Sequence, residues 1–108
     1  MATGSLRRSS LDHRVLAEAA AMIRVLGHPV RLRIVECLER GERCVSELQG
    51  ALDAPQAMVS QQLAKMRAAG IVRARREGAK VRYTIADERV IRVLDCLRHC
   101  DVPARHHR

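Results

Sequence analysis

Residues 45–82 read VSELQGALDAPQAMVSQQLAKMRAAGIVRARREGAKVR, and the period of this stretch changes twice. Val45, Leu48 and Leu52 recur at helical spacing, after which Asp53, Ala54 and Pro55 make a tight break. Beyond the break, Val59, Leu63 and Met66 share one face of a helix from Gln56 to Ala69, with Gly70 as its C-terminal stop. From Ile71 the spacing becomes alternating. Val72 and Ala74 interleave with Arg73 and Arg75, Gly78 and Ala79 turn the chain, and Val81, Tyr83 and Ile85 interleave with Arg82 and Thr84.

Working outward, Leu11, Val15, Ala19, Met22, Ile23 and Leu26 predict a first helix over 12–26, stopped by Gly27. Pro29 then opens a second helix with Val30, Ile34, Val35 and Leu38 inward, ending at Gly41. Downstream of the hairpin, Asp87 is placed to cap a last helix over 88–100, with Val90, Ile91, Leu94 and Leu97 as its apolar stripe. The reading is a mainly α domain over 11–100 with five helices and two strands. A flexible basic arm (1–10) precedes it and a disordered tail (101–108) follows. Two short helices joined by a three-residue break, then a basic hairpin, form a winged helix-turn-helix pattern.

Composition narrows the function. The chain has 108 residues and a formal charge of +8, and only Lys65 and Lys80 among its 20 cationic residues are not Arg. Arg favours bidentate contacts to phosphate or guanine edges, so a nucleic acid is the leading expectation for the partner, with an acidic protein or a membrane surface as the alternatives. Tyr83 is the single aromatic residue, which excludes modules that stack bases on aromatic platforms. A chain this short buries a modest share of its surface, so dimerisation is expected. With no apolar run long enough to span a membrane and no apolar segment in 1–10, the expected location is the cytoplasm. Cys37, Cys44, Cys96 and Cys100 then read as core thiols, metal ligands or redox switches rather than structural disulfides.

At 100° per residue, a helix burying Val59, Leu63 and Met66 turns Ala57, Gln61, Ala64 and Lys65 outward, with Ser60 on the flank and Gln56 at its start. Small residues allow close approach, and amide and hydroxyl groups can bond base edges or phosphate; a solvated face is the alternative. The hairpin sets Arg73, Arg75, Arg76, Lys80 and Arg82 against Glu77, a net +4 within residues 72–82. Beside DNA it would clamp phosphate with a steep salt dependence.

Taken together, Leu26-Gly27-His28-Pro29-Val30-Arg31-Leu32-Arg33-Ile34, Glu42-Arg43-Cys44-Val45-Ser46-Glu47-Leu48, Val59-Ser60-Gln61-Gln62-Leu63, Ala69-Gly70-Ile71-Val72 and Arg75-Arg76-Glu77-Gly78 resemble the ArsR/SmtB repressors. The resemblance implies a homodimer built on the first and last helices, the fourth helix in the major groove and the hairpin as a wing. It implies operator DNA as partner and release when an inducer binds. Two departures bear on the operator. The break reads Pro55-Gln56-Ala57 where the family has Ser-Gln-Pro with its hydroxyl cap, and Gln62 stands where a His is often found.

In that resemblance Cys44 takes the first position of a Cys-Val-Cys metal-sensing motif whose second position here is Ser46, a poor ligand for soft ions. Cys96 and Cys100 lie four apart on one helix face and can present two sulfurs to one ion, or fill a dimer interface. The family fold also brings the ends of the second and last helices near the start of the third, so all four thiols could converge. Three thiolates suit As(III) or Sb(III), four suit Zn or Cd, and a pair suits a disulfide or polysulfide switch, with Hg a further candidate inducer. Relatives that sense persulfide carry a helix-two thiol one residue earlier than Cys37, a slip of about 100°. The family's His and carboxylate site fails at Asp87-Glu88-Arg89. His28 reads as structural.

No Gly-rich phosphate loop, paired catalytic carboxylates or nucleophile arrangement is present, so no enzyme is expected. The expectation is a repressor with no permanently bound cofactor. It would release DNA when Cys44, Cys96 and Cys100, with Cys37 the least certain, bind a soft ion such as As(III) or react with sulfur species. A DNA-binding dimer without inducer is the alternative.

Overall fold

The structure is a computed structural model in which residues 11–100 are described; the expected basic arm and tail lie outside the described residues. Its elements run α1 (His13–Leu26), α2 (Pro29–Glu39), β1 (Arg43–Cys44), α3 (Val45–Leu52), α4 (Gln56–Ala68), β2 (Val72–Glu77), β3 (Lys80–Ile85) and α5 (Arg89–Arg98). Among the described residues no helix is long and apolar enough to cross a membrane.

Each helix boundary has a local cause. Asp12 caps α1 by accepting the Arg14 N–H at 3.1 Å. His28 caps α2, its Nδ1 accepting the Val30 N–H at 3.1 Å, while Pro29 occupies the first turn, where a missing N–H costs nothing. Asp53 closes α3 in the left-handed region at φ 54°, which reverses the chain into Pro55. After α4, the Ile71 N–H reaches the Met66 carbonyl at 2.9 Å and the Gly70 N–H the Arg67 carbonyl at 3.0 Å. This is a Schellman closure, and it needs Gly70 at φ 77°.

The core is aliphatic, as a chain without Phe or Trp requires. Ile34 and Val35 of α2, Leu48 of α3, Val59, Leu63 and Met66 of α4, Ile71, and Val90 of α5 are fully buried. The sheet order is β1-β3-β2, antiparallel throughout. Val72 pairs with Ile85 and Ala74 with Tyr83 on the face that packs on this core, and Arg73, Arg75 and Glu77 alternate onto the other.

The expected five helices and hairpin are present, but the two-strand reading is corrected. β1 adds a third strand through Arg43 opposite Tyr83 and Cys44 opposite Arg82. Two residues carry no period, so alternation could not announce them. The last helix is also shorter than the expected 88–100. Asp87 still serves its start by accepting the Arg89 N–H at 3.0 Å, and its carboxylate holds the Arg89 guanidinium at 2.8 Å. That guanidinium reaches Glu18 at 3.4 Å and so joins α1 to α5.

The hydrogen bond from Arg89 holds the Asp87 carboxyl below its ordinary range. A depressed folded-state pKa adds stability at neutral pH that is lost as pH falls through the folded value. Asp87→Asn is therefore expected to lower the melting temperature by a few degrees at pH 7, roughly 1 kcal/mol for a partly exposed pair. The gap from wild type should close below about pH 4. A gap that widens in acid would contradict this assignment.

Candidate nucleic-acid interface

With Val59, Leu63 and Met66 buried, α4 exposes Gln56, Ala57, Ser60, Gln61, Ala64 and Lys65 to solvent. Its N-cap is Pro55, which has no side chain able to accept from the first turn. The Met58 and Val59 N–H groups both reach the Pro55 carbonyl at 3.1 Å, and those of Gln56 and Ala57 are left without an intrahelical acceptor. Unpaired donors at the positive end of a helix suit a phosphate oxygen.

Gln62 behaves differently from its neighbour Gln61. It is buried, and its Oε1 accepts from Arg31 Nε at 2.6 Å. The departure at Gln62 therefore faces the interior rather than a base. The helical wheel held this signal, since position 62 lies beside the buried stripe of Val59 and Met66.

The wing cations divide into two groups. Arg75 donates to Glu42 at 2.7 Å and lies 3.8 Å from Glu77; Arg82 binds Glu77 at 2.5 Å and lies 3.8 Å from Glu47. Arg75 and Arg82 sit directly opposite in the ladder, a like-charge pair that Glu77 offsets. The Arg82 hydrogen bond holds the Glu77 carboxyl below its ordinary range. Arg73, Arg76 and Lys80, by contrast, are exposed and form no ion pair among the described residues. Gln56 at the start of α4 and Ala79 and Lys80 at the wing tip line one open cleft of about 340 Å³, together with Cys44, Ser46 and Tyr83. The start of α4 and the tip of the wing thus meet at a shared surface.

The four thiols occupy distinct settings. Cys44 is buried as the N-cap of α3, with its Sγ 3.2 Å from Ser46 Oγ and its N–H donating to Glu47 at 2.9 Å. The Ser46 hydroxyl, then the Glu47 N–H, draw its pKa down from the ordinary thiol range. Cys37 is half-buried against the core, Cys96 is exposed in the last turn of α5, and Cys100 is exposed two residues past Arg98. The expected placement of both thiols on one helix face is therefore corrected: the helix ends before Cys100. That end is tied to α2 by an ion pair between Arg98 and Glu39. Among the described residues, no three His, Cys, Asp or Glu side chains of one protomer are placed to hold a common ion.

Residues 28–74 match the bacterial regulatory proteins of the arsR family. Over 94 residues the chain is 40% identical to the biofilm growth-associated repressor of Agrobacterium fabrum, covering 87% of this chain and 80% of that one. The chain belongs to the arsR family. This arsR-family protein is also 43% identical over 86 residues to the HTH-type transcriptional repressor SmtB of Mycobacterium tuberculosis. That match covers 79% of this chain but 64% of the SmtB length. Its fold is similar to the homodimeric winged helix-turn-helix DNA-binding domain of a possible ArsR-family regulator from Mycobacterium bovis. The TM-score is 0.70 at 30% identity, covering 83% of this chain and 86% of the other. In the arsR-family protein α3 and α4 are the helix-turn-helix and β2 and β3 the wing. The family is one of DNA-binding regulators, in agreement with the expectation of no enzyme.

Proposed function

We propose that two copies of this chain form a repressor that binds an inverted-repeat operator in double-stranded DNA. The observation that carries the reading is the shared cleft, where the uncapped start of α4 meets Lys80 at the wing tip. DNA laid on this surface brings base edges to Ser60 and Gln61. It brings phosphates to Gln56, Ala57, Lys65, Arg73, Arg76 and Lys80, with Arg75 and Arg82 reaching them only by leaving their carboxylates.

The dimer reading rests on surface chemistry. Leu11, Val15, Leu16, Ile23 and Leu97 are 44–58% exposed, all on α1, its approach or α5. A second copy of the chain covers such a face in this reading, and the similar Mycobacterium bovis domain is itself homodimeric. Twofold symmetry then sets two α4 helices for half-sites one helical turn apart, about 34 Å.

The releasing signal enters at thiols in this reading. Cys96 is exposed in the last turn of α5, on the proposed dimer face, and Cys100 is exposed two residues beyond the helix end; the two can take a bis-thiol adduct with a soft ion such as As(III) without refolding the core. Reactive sulfur species bridging the same pair are the second chemistry. Cys44, buried as a helix cap, joins a ligand set only by opening that cap.

Leu16→Glu with Ile23→Glu places two charges on the exposed apolar face without touching the buried core. Sedimentation should show the dimer dissociation constant raised by at least about a hundredfold, with DNA binding lost in parallel. A variant that stays dimeric, or a monomer that binds DNA as tightly as wild type, would contradict the proposal.

A further inference from the structure

Arg31 and Gln62 belong to neither the wing nor the exposed face of α4, yet they join three helices. The Arg31 Nη1 donates to the Val25 carbonyl at 2.9 Å. That carbonyl lies in the last turn of α1, and the residue four positions on is Pro29, which has no N–H to offer it. The guanidinium fills this vacancy and sets a positive charge at the negative end of α1. Its Nε meanwhile donates to Gln62 Oε1 at 2.6 Å, in the middle of α4. Gln62 is the buried polar side chain of an otherwise apolar core, and no buried side-chain nitrogen or oxygen among the described residues lacks a partner.

The buried apolar contacts that seat α4 are made by Val59, Leu63 and Met66, and apolar burial has no preferred direction. Hydrogen bonds from a planar guanidinium do have one, and weaken steeply when misaligned. The helix that carries the exposed apolar face and the helix that carries Ser60 and Gln61 are therefore held in register by one planar group. We infer that Arg31 and Gln62 are positioning residues that set the angle of α4 against α1, and through the dimer the half-site spacing the protein accepts. This inference rests on the DNA-binding reading above.

The test uses a duplex selected by the wild-type protein from a randomised pool, versions with half-site spacing changed by one base pair, and an unrelated duplex. Gln62→Met keeps length and helix propensity but removes the acceptor; Gln62→Glu keeps it. The Met variant should dimerise and bind the unrelated duplex within about twofold of wild type. It should lose about tenfold on the selected duplex and no longer prefer its spacing, whereas the Glu variant retains the preference. Arg31→Lys keeps the charge at the end of α1 but not the fork, and should lose the preference too. Spacing preference retained in Gln62→Met, or in Arg31→Lys where the Met variant fails to fold, would overturn the inference and leave the pair a structural contact. A wild-type protein that selects no duplex would overturn the DNA reading itself, and this inference with it.

Discussion

Alanine at Arg73, Arg76 and Lys80 together is expected to weaken DNA binding by at least about a hundredfold near physiological salt, on specific and unrelated duplexes alike. These are the wing cations with no carboxylate partner among the described residues, so each can neutralise a phosphate without first breaking an ion pair. A dimer presents six of them, and at about 0.9 per phosphate neutralised the slope of log affinity against log salt should flatten by about 5. Arg75→Ala should do less, because Arg75 exchanges Glu42 and Glu77 for phosphate at little net gain. Glu42→Gln should then tighten binding and steepen the slope by freeing Arg75. Equal losses from Arg75→Ala and Arg76→Ala would show that the ion pairs do not restrain the wing.

Cys96→Ser with Cys100→Ser is expected to leave DNA affinity within about twofold and to abolish release by thiol-reactive inducers. A hundredfold loss of operator affinity on induction requires only about 2.7 kcal/mol of coupling between the thiol and DNA sites. The end of α5 is placed to deliver it, being tied to α2 through Arg98 and Glu39, while α2 contacts α4 through Arg31 and Gln62. Titration with arsenite, mercury, cadmium, zinc and polysulfide, read by anisotropy and intact-protein mass, separates an ion held without covalent change from an added sulfur bridge. A double variant that still releases DNA would remove these thiols from the mechanism. Cys44→Ser, which keeps a capping side chain at the start of α3, would then be the next variant to measure.

Much of the fold was legible because its signals are periodic and local. Val59, Leu63 and Met66 mark α4, the alternation from Val72 to Ile85 marks the hairpin, and Gly70 and Pro29 punctuate the chain where the structure places helix ends. What escaped the sequence depends on partners distant along the chain. Strand β1 is two residues long and exists through its pairing with β3. Arg75 and Arg76 are adjacent and alike on paper, and only the fold brings Glu42 to one of them. Gln61 and Gln62 are likewise the same residue type side by side, and a 100° turn sends one to solvent and the other to Arg31. The thiols were legible as chemistry but not as a cluster, because spacing says nothing of whether Cys44 and Cys100 approach one another.

The most direct measurement is a titration of the wild-type protein on its selected inverted-repeat duplex across a range of salt, with stoichiometry and affinity read together. The expected result is two chains per duplex and a slope of log affinity against log salt of about −5 or steeper. One chain per duplex, or an affinity indifferent to salt, would contradict the dimeric, wing-clamped reading.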